Sequence, residues 1–197
     1  MPDAGSRPAT GPLPGPRHPR PAAPAIPAPP LEDGIILTVA RDDDADQIVK
    51  LQYLCYQSEA ELYGDHAIAP LTETVAELRG LLAAGGDDGR RGDATVILVA
   101  RRGWEVVAAV RGRLDGDTCR VGRLITHPRL RRRGLASRLL AEIELRHPTA
   151  ARFELFTGAR SVDNIRLYTR CGYRETRRAV DAGIEMMFLA KPAGASA

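Results

Sequence analysis

Three apolar β segments in close succession constrain this chain more than any other feature. Thr95 to Ala100, Glu105 to Leu114 and Thr118 to Thr126 are rich in valine and threonine, and only Arg102-Gly103 and Asp115-Gly116-Asp117 mark the turns between them. Such residues suit a pleated, extended backbone, and turns this short reverse its direction, so the stretch predicts an antiparallel meander.

The flanking segments predict what covers that meander. Ile35 to Val39 is a short β-branched run, and Asp42 to Asp44 supply N-cap candidates for a helix. Ile48, Leu51, Gln52, Leu54 and Cys55 give that helix an approximately helical period, ending before Gly64. Beyond Pro70, Thr74 and Glu77 stand in capping-box spacing before Leu78, Leu81 and Leu82. Gly85 to Gly89 reads as a loop. After the meander, a helix from about Gly134 to Arg146 places Leu135, Leu139, Leu140 and Ile143 on one face and stops at Pro148. Phe153 to Phe156 is a strand, Asp163 to Arg170 a helix, Tyr173 to Arg178 contains further strand, and Glu185 to Leu189 is the last strand. This order predicts an α+β fold, a mixed and mainly antiparallel central sheet with helices on both faces.

Length and composition set the boundaries. A chain of 197 residues with 44% hydrophobic content holds one ordinary domain. Residues 1 to 33 are rich in Pro and Ala with few large apolar side chains, which predicts a disordered tail. The ordered domain is expected over 34 to 192, with 193 to 197 a short flexible C-terminus. No apolar run approaches the roughly 20 residues that span a bilayer, and prolines interrupt the N-terminus where a secretory signal would need a continuous apolar run. Cys55, Cys119 and Cys171 are far apart and odd in number, matching neither a disulfide framework nor a zinc site. The expectation is a cytoplasmic protein with no metal and no membrane partner; a homodimer is compatible with it.

The formal charge of +3 is too small to imply a nucleic-acid partner. Position says more. Arg120, Arg123, Arg129, Arg131, Arg132 and Arg133 gather positive charge around one stretch, which favours a polyanionic ligand. Within it, Arg131-Arg132-Arg133-Gly134-Leu135-Ala136 falls where a strand has ended and a helix begins. Unpaired backbone N–H groups and the positive end of the helix dipole make such a junction an anion site. Gly134 and Ala136 keep it free of bulk, and the arginines offer charge-assisted hydrogen bonds to phosphate. A nucleic-acid site is disfavoured, because no aromatic residues are interleaved among these arginines.

A second pattern lies downstream, Asn164-Ile165-Arg166-Leu167-Tyr168-Thr169-Arg170-Cys171-Gly172-Tyr173. With it the chain resembles the GNAT acetyltransferase superfamily, whose cofactor loop is Gln/Arg-x-x-Gly-x-Gly/Ala. The later signature of that superfamily is an Asn, then Leu/Phe-Tyr, then Gly-Phe/Tyr. Leu124 to Pro128 also resembles the strand that precedes the loop. The resemblance covers about Ile35 to Leu189 and implies a sheet splayed open at the cofactor site. It implies that Leu124, Ile125 and Thr126 pair with the pantetheine arm of acetyl-CoA. Arg131, Arg132, Arg133, Gly134, Leu135, Ala136 and Ser137 would hold the pyrophosphate, and Asn164 would hydrogen-bond the pantetheine or a water.

The implied reaction is direct attack of a primary amine on the thioester, with acetyl-CoA as the donor substrate. A backbone N–H near Ile125 is the candidate oxyanion donor. Tyr168 is the candidate acid, since a phenol pKa of about 10 exceeds that of the departing thiol. Many relatives carry a glutamate on the strand before the loop, whereas Thr118 to Thr126 has no acid. Glu59, Glu61, Asp65 and His66 are therefore the candidates to bind the amine or relay its proton. His127, Cys171 and Glu154 read better as structural residues. The acceptor is expected to be a small-molecule amine or a peptide. Protein N-terminal or lysine acetylation, and a non-catalytic acyl-CoA-binding regulator, are the alternatives.

Overall fold

The computed structural model describes residues 34–84 and 95–194. The expected tail over 1 to 33, the Gly85 to Gly89 loop and residues 195–197 lie outside that range. The chain opens with β1 (Ile35–Val39) and a single 3-10 turn (Asp42–Asp44), then runs through α1 (Ala45–Tyr63), α2 (Ala69–Thr72) and α3 (Val75–Ala84). The meander follows as β2 (Thr95–Arg102), β3 (Glu105–Asp115) and β4 (Thr118–Thr126). Then come α4 (Leu135–Leu145), β5 (Arg152–Gly158), α5 (Val162–Arg170), β6 (Arg174–Asp181) and β7 (Ile184–Pro192). These strands form one sheet in the order β1-β2-β3-β4-β5-β7-β6. Every neighbouring pair is antiparallel except β4 with β5.

Helices cover both faces, as the unbroken burial of β2 from Val96 to Ala100 requires. Val96, Leu98 and Ala100 pack with Leu135, Leu139, Leu140 and Ile143 of α4 and with Tyr168 of α5. Ile97 and Val99 point the other way, into a second core with Ile48 and Leu51 of α1 and Leu78 of α3. The four apolar positions assigned to one face of α4 are all buried. Helix α1 ends at Gly64, whose left-handed φ of 68° a side chain would strain. The capping box of α3 is present: the Thr74 amide donates to Glu77 Oε2 at 2.7 Å, and the Glu77 amide to Thr74 Oγ1 at 3.2 Å.

Some expectations are corrected. Asp42 to Asp44 do not cap α1 through their side chains; they form a 3-10 turn, and the Asp44 carboxylate accepts from the Arg41 amide and from Arg101 instead. Leu54 lies on the exposed side of α1 rather than in its apolar stripe. The first hairpin turns at Gly103-Trp104, one residue later than expected, because β2 continues to Arg102. The short α2 carried no apolar periodicity to reveal it.

Two irregularities open a cleft in the sheet. First, β4 and β5 pair only through Thr118, Cys119 and Arg120 with Arg152, Phe153 and Glu154. Beyond Arg120 the strands diverge, β5 continuing against β7 to Gly158 and β4 continuing against β3 to Thr126. Second, Ala109 pairs with Ile125 but Arg111 pairs with Gly122, so β4 carries one extra residue at a β-bulge. Arg123 sits in that bulge with φ 51°, a left-handed backbone rarely taken by a residue with a side chain. The extra residue exchanges the faces of the strand. Cys119 and Val121 belong to the α4-side core, whereas Ile125 is delivered to the α1-side core.

Candidate active site

The cleft is the gap where β4 leaves β5. Its β4 side is the run from Val121 to Thr126, whose outer edge has no β5 partner. Backbone donors and acceptors on such an edge can take an extended ligand as a further strand. Thr126 Oγ1 is buried there without a partner. Leu124 packs against the α4-side core and Ile125 is buried, so both backbones are held firmly. The three residues expected along the pantetheine arm are thus contiguous on one open edge.

That edge runs into the expected anion site. After Thr126 the His127 amide donates to Val107 O at 2.8 Å, and His127 Nδ1 accepts from the Arg129 amide, which gives His127 a structural part as expected. Arg132 has φ 65° and Gly134 has φ 79°, the latter as the N-cap of the eleven-residue α4. Backbone of this kind turns successive amides toward a concavity at the positive end of a helix. A Cβ built on Gly134 would meet nothing within 4 Å, so the glycine answers to its φ and to open space above it. Arg131, Arg132 and Arg133 are exposed around the turn, Leu135 is buried beneath it, and Ala136 and Ser137 are half-buried in the first turn of α4. This geometry fits a diphosphate joined to an extended arm.

The other arginines of the cluster do not join the turn. Arg120 pairs with Asp115 at 3.0 Å, Arg129 with Glu105, and Arg123 lies 3.7 Å from Glu73. The local positive charge is therefore narrower than the sequence implied.

Helix α5 borders the far side of the gap. Asn164 Nδ2 donates to Thr157 Oγ1 at 3.3 Å, across from the β4 edge. Tyr168 is buried, its ring edge-on to Tyr173 at 6.3 Å. Burial, with added repulsion from Tyr56, Glu59 and Cys171, raises the Tyr168 phenol above its ordinary pKa, so it keeps its proton throughout the physiological range.

Of the acceptor-side candidates, the structure brings one to this place. Glu59 Oε1 accepts from Ser161 Oγ at 2.6 Å, and its charge is felt by both Tyr56 and Tyr168. Asp65 is used locally, accepting from the Ala67 amide at 2.8 Å. Glu61 and His66 are exposed, and their side chains have no hydrogen-bond partner among the described residues. Glu154 pairs with Arg152 on the side of β5 away from Phe153 and Leu155, and Cys171 is the C-cap of α5.

Sequence reasoning missed a group on the α1 face. Glu73 accepts from Arg111 Nη1 at 2.8 Å, from Arg111 Nη2 at 3.0 Å and from Gln52 Nε2 at 3.0 Å. Burial opposes its charge, but Arg111, Gln52 and the field of Arg123 outweigh that and hold the carboxyl below the ordinary range. Gln52 had a place in the helical stripe and is fully buried; its partners Pro70 and Glu73, 18 and 21 residues away, left no local signal. Tyr56 is near enough to feel the charges of Arg123, Glu59 and Arg111, its phenol pushed up to about 12 by burial, which outweighs the field of Arg123. Among the described residues no cluster of His, Cys, Asp and Glu could hold a metal, and no helix is long and apolar enough to cross a membrane.

A family model described as an acetyltransferase (GNAT) domain matches residues 93–175, which contain the open edge, the turn and α5. No curated protein is similar enough in sequence to align with the chain. Solved structures share its fold. An acetyltransferase of the GNAT family from Streptococcus pneumoniae superposes with a TM-score of 0.62 at 18% identity, over 80% of this chain and 99% of that one. PaiA N-acetyltransferase from Thermoplasma acidophilum, solved with coenzyme A, gives 0.65 at 11% identity, over 80% and 98%. The ribosomal-protein-S18-alanine N-acetyltransferase of Escherichia coli gives 0.61 at 13% identity, over 83% and 96%.

Proposed function

Since the chain belongs to the GNAT superfamily of acetyltransferases, we propose that it moves an acetyl group from acetyl-CoA to a primary amine by direct attack, a small-molecule acceptor being favoured over a peptide. The observation that carries this reading is the continuity of the β4 edge, unpaired beyond Arg120, with the Arg131 to Ser137 turn. One run of backbone supplies a strand-like partner for the pantetheine arm and an amide-lined cradle for the pyrophosphate. Bound acetyl-CoA supplies an acyl group already activated as a thioester.

Each residue of the chain then has a limited task. Leu124, Ile125 and Thr126 orient the arm, and Asn164 hydrogen-bonds it from the α5 side. Glu59 attracts the cationic amine and accepts its proton, directly or through water, while Ser161 and α1 fix where the carboxylate stands. Tyr168 holds a proton at its phenol oxygen for the departing sulfur, and burial ensures that the proton is there to give.

Isothermal titration with acetyl-CoA tests the donor half of this reading. Saturable binding is expected for the wild-type chain. Absence of heat at millimolar acetyl-CoA overturns it. Release of free thiol that depends on an added amine tests the remainder.

A further inference from the structure

The guanidinium of Arg123 is held in the cleft without a hydrogen-bonded partner. Its side chain is 25% exposed, and its Nε–H is buried with no acceptor. The nearest carboxylate oxygen, Glu73 Oε2, is 3.7 Å away, too far for a hydrogen bond. Glu73 is already engaged: Arg111 binds both its oxygens and Gln52 binds Oε2. Two guanidiniums thus share one carboxylate, leaving a net positive charge in a place mostly removed from water. An arginine cannot shed its proton to relieve this. Arg111 Nε and Gln52 Oε1 are also buried without partners in the same group.

The position of Arg123 is as unusual as its pairing. It occupies the bulge where the β4 edge begins to run unpaired, in a backbone conformation that costs a side-chain residue energy. The bulge puts it on the α1 face, where Arg123 and Glu59 both act on the Tyr56 phenol. The cleft therefore holds an acid suited to an amine and, acting on the same tyrosine, an underpaired guanidinium suited to an anion. Planar carboxylates match the guanidinium fork in two parallel hydrogen bonds.

We propose that Arg123, supported by Arg111, is a specificity-determining residue that binds a carboxylate carried by the acceptor, so that the substrate is an amine bearing a carboxylate, of amino-acid type. This rests on the reading that the cleft accepts an amine beside Glu59.

The test compares common L-amino acids with their carboxamides, using thiol release for turnover and calorimetry on the CoA-saturated protein for binding. Acids are expected to exceed the matching amides at least tenfold in kcat/KM. Arg123→Gln should lower kcat/KM for the acids by about 30- to 100-fold, mainly through KM, the loss expected for one charged hydrogen-bonded contact. The amides and the acetyl-CoA Kd should be unaffected, and Arg123→Lys should recover part of the loss. Equal use of acids and amides, an equal loss for both in Arg123→Gln, or tighter binding of aminophosphonates than of aminocarboxylates would each overturn the proposal. Failure to bind acetyl-CoA strikes the proposed function instead. Calorimetry with the amino acids alone then still reads the carboxylate site, and absence of Arg123-dependent binding there refutes it.

Discussion

Ser161 Oγ donates a 2.6 Å hydrogen bond to Glu59 Oε1, joining a helix on one face of the sheet to the residue that precedes a helix on the other. The contact is made where the divergence of β4 from β5 lets the two faces meet. Tyr63 supports it, its hydroxyl 3.3 Å from Ser161 Oγ and accepting from the Arg160 amide at 2.8 Å. A carboxylate tied in this way has a defined direction.

Glu59→Gln preserves the contact with Ser161 and removes the charge. We expect it to fold normally, to bind acetyl-CoA as the wild type does, and to lose about 100-fold in kcat/KM for the amine. Ser161→Ala should lose less, since the charge remains while its orientation loosens. Unchanged turnover in Glu59→Gln across the pH profile would remove Glu59 from the mechanism.

Tyr168→Phe deletes a buried phenol oxygen with little change in shape. Acetyl-CoA binding should persist while kcat falls by about 100-fold or more, the usual contribution of a positioned acid. Steady-state kinetics beside calorimetry separate the two effects. Full activity at every pH would exclude Tyr168 as the proton donor.

At Gly134 the backbone itself is at issue. Gly134→Val forces a β-branched residue to φ 79° and should cost the fold about 1–2 kcal/mol. It should also place side-chain bulk in the cradle and abolish measurable acetyl-CoA binding. A variant that binds with wild-type affinity would show that the pyrophosphate lies elsewhere.

A fourth expectation concerns pure packing. A Cβ on Gly112 would stand 2.6 Å from His147 Cε1 and 2.8 Å from Ile143 Cγ1, both fully buried side chains of the α4 region. Gly112→Ala should therefore destabilise by about 1–3 kcal/mol through overpacking, read as a lower urea midpoint at unchanged slope. Acetyl-CoA affinity of the folded fraction should not change.

Acid stability should report on Glu73. Its folded pKa lies below the unfolded value, so its stabilising contribution is complete above the ordinary carboxylate range and is lost as pH falls through the folded value. Near neutral pH, Glu73→Gln should cost about 3 kcal/mol, the low end for leaving a buried charge unpaired. The two unfolding curves should converge as the solution is acidified below the carboxylate range. A difference that persists undiminished there would contradict the ion-pair account.

Local features of the fold were legible because local physics dictates them. The meander follows from short turns between β-branched runs, the face of α4 from its leucine spacing, and the α3 cap from Thr74 and Glu77. The turn at Gly134 that opens α4 was legible for the same reason, as glycine and strand-to-helix punctuation mark it. What escaped depends on distance in sequence. Nothing near Arg123 announces a left-handed arginine, because the bulge arises from its register with β3. Glu73 looks like a surface acid until Arg111, 38 residues on, folds against it. Arg120 and Arg129 looked like ligand groups until Asp115 and Glu105 took them up.

The brevity of the β4–β5 ladder has a further consequence. Only three residue pairs make up the ladder between the two wings of the sheet, so the outward amides from Val121 to Thr126 sit in the middle of a protein yet should exchange with solvent as those of an edge do. An extended ligand seated there would complete the sheet rather than merely occupy a pocket. Its arrival should be recorded in solvent exchange as a slowing confined to that seam, with the strand interior on either side already protected.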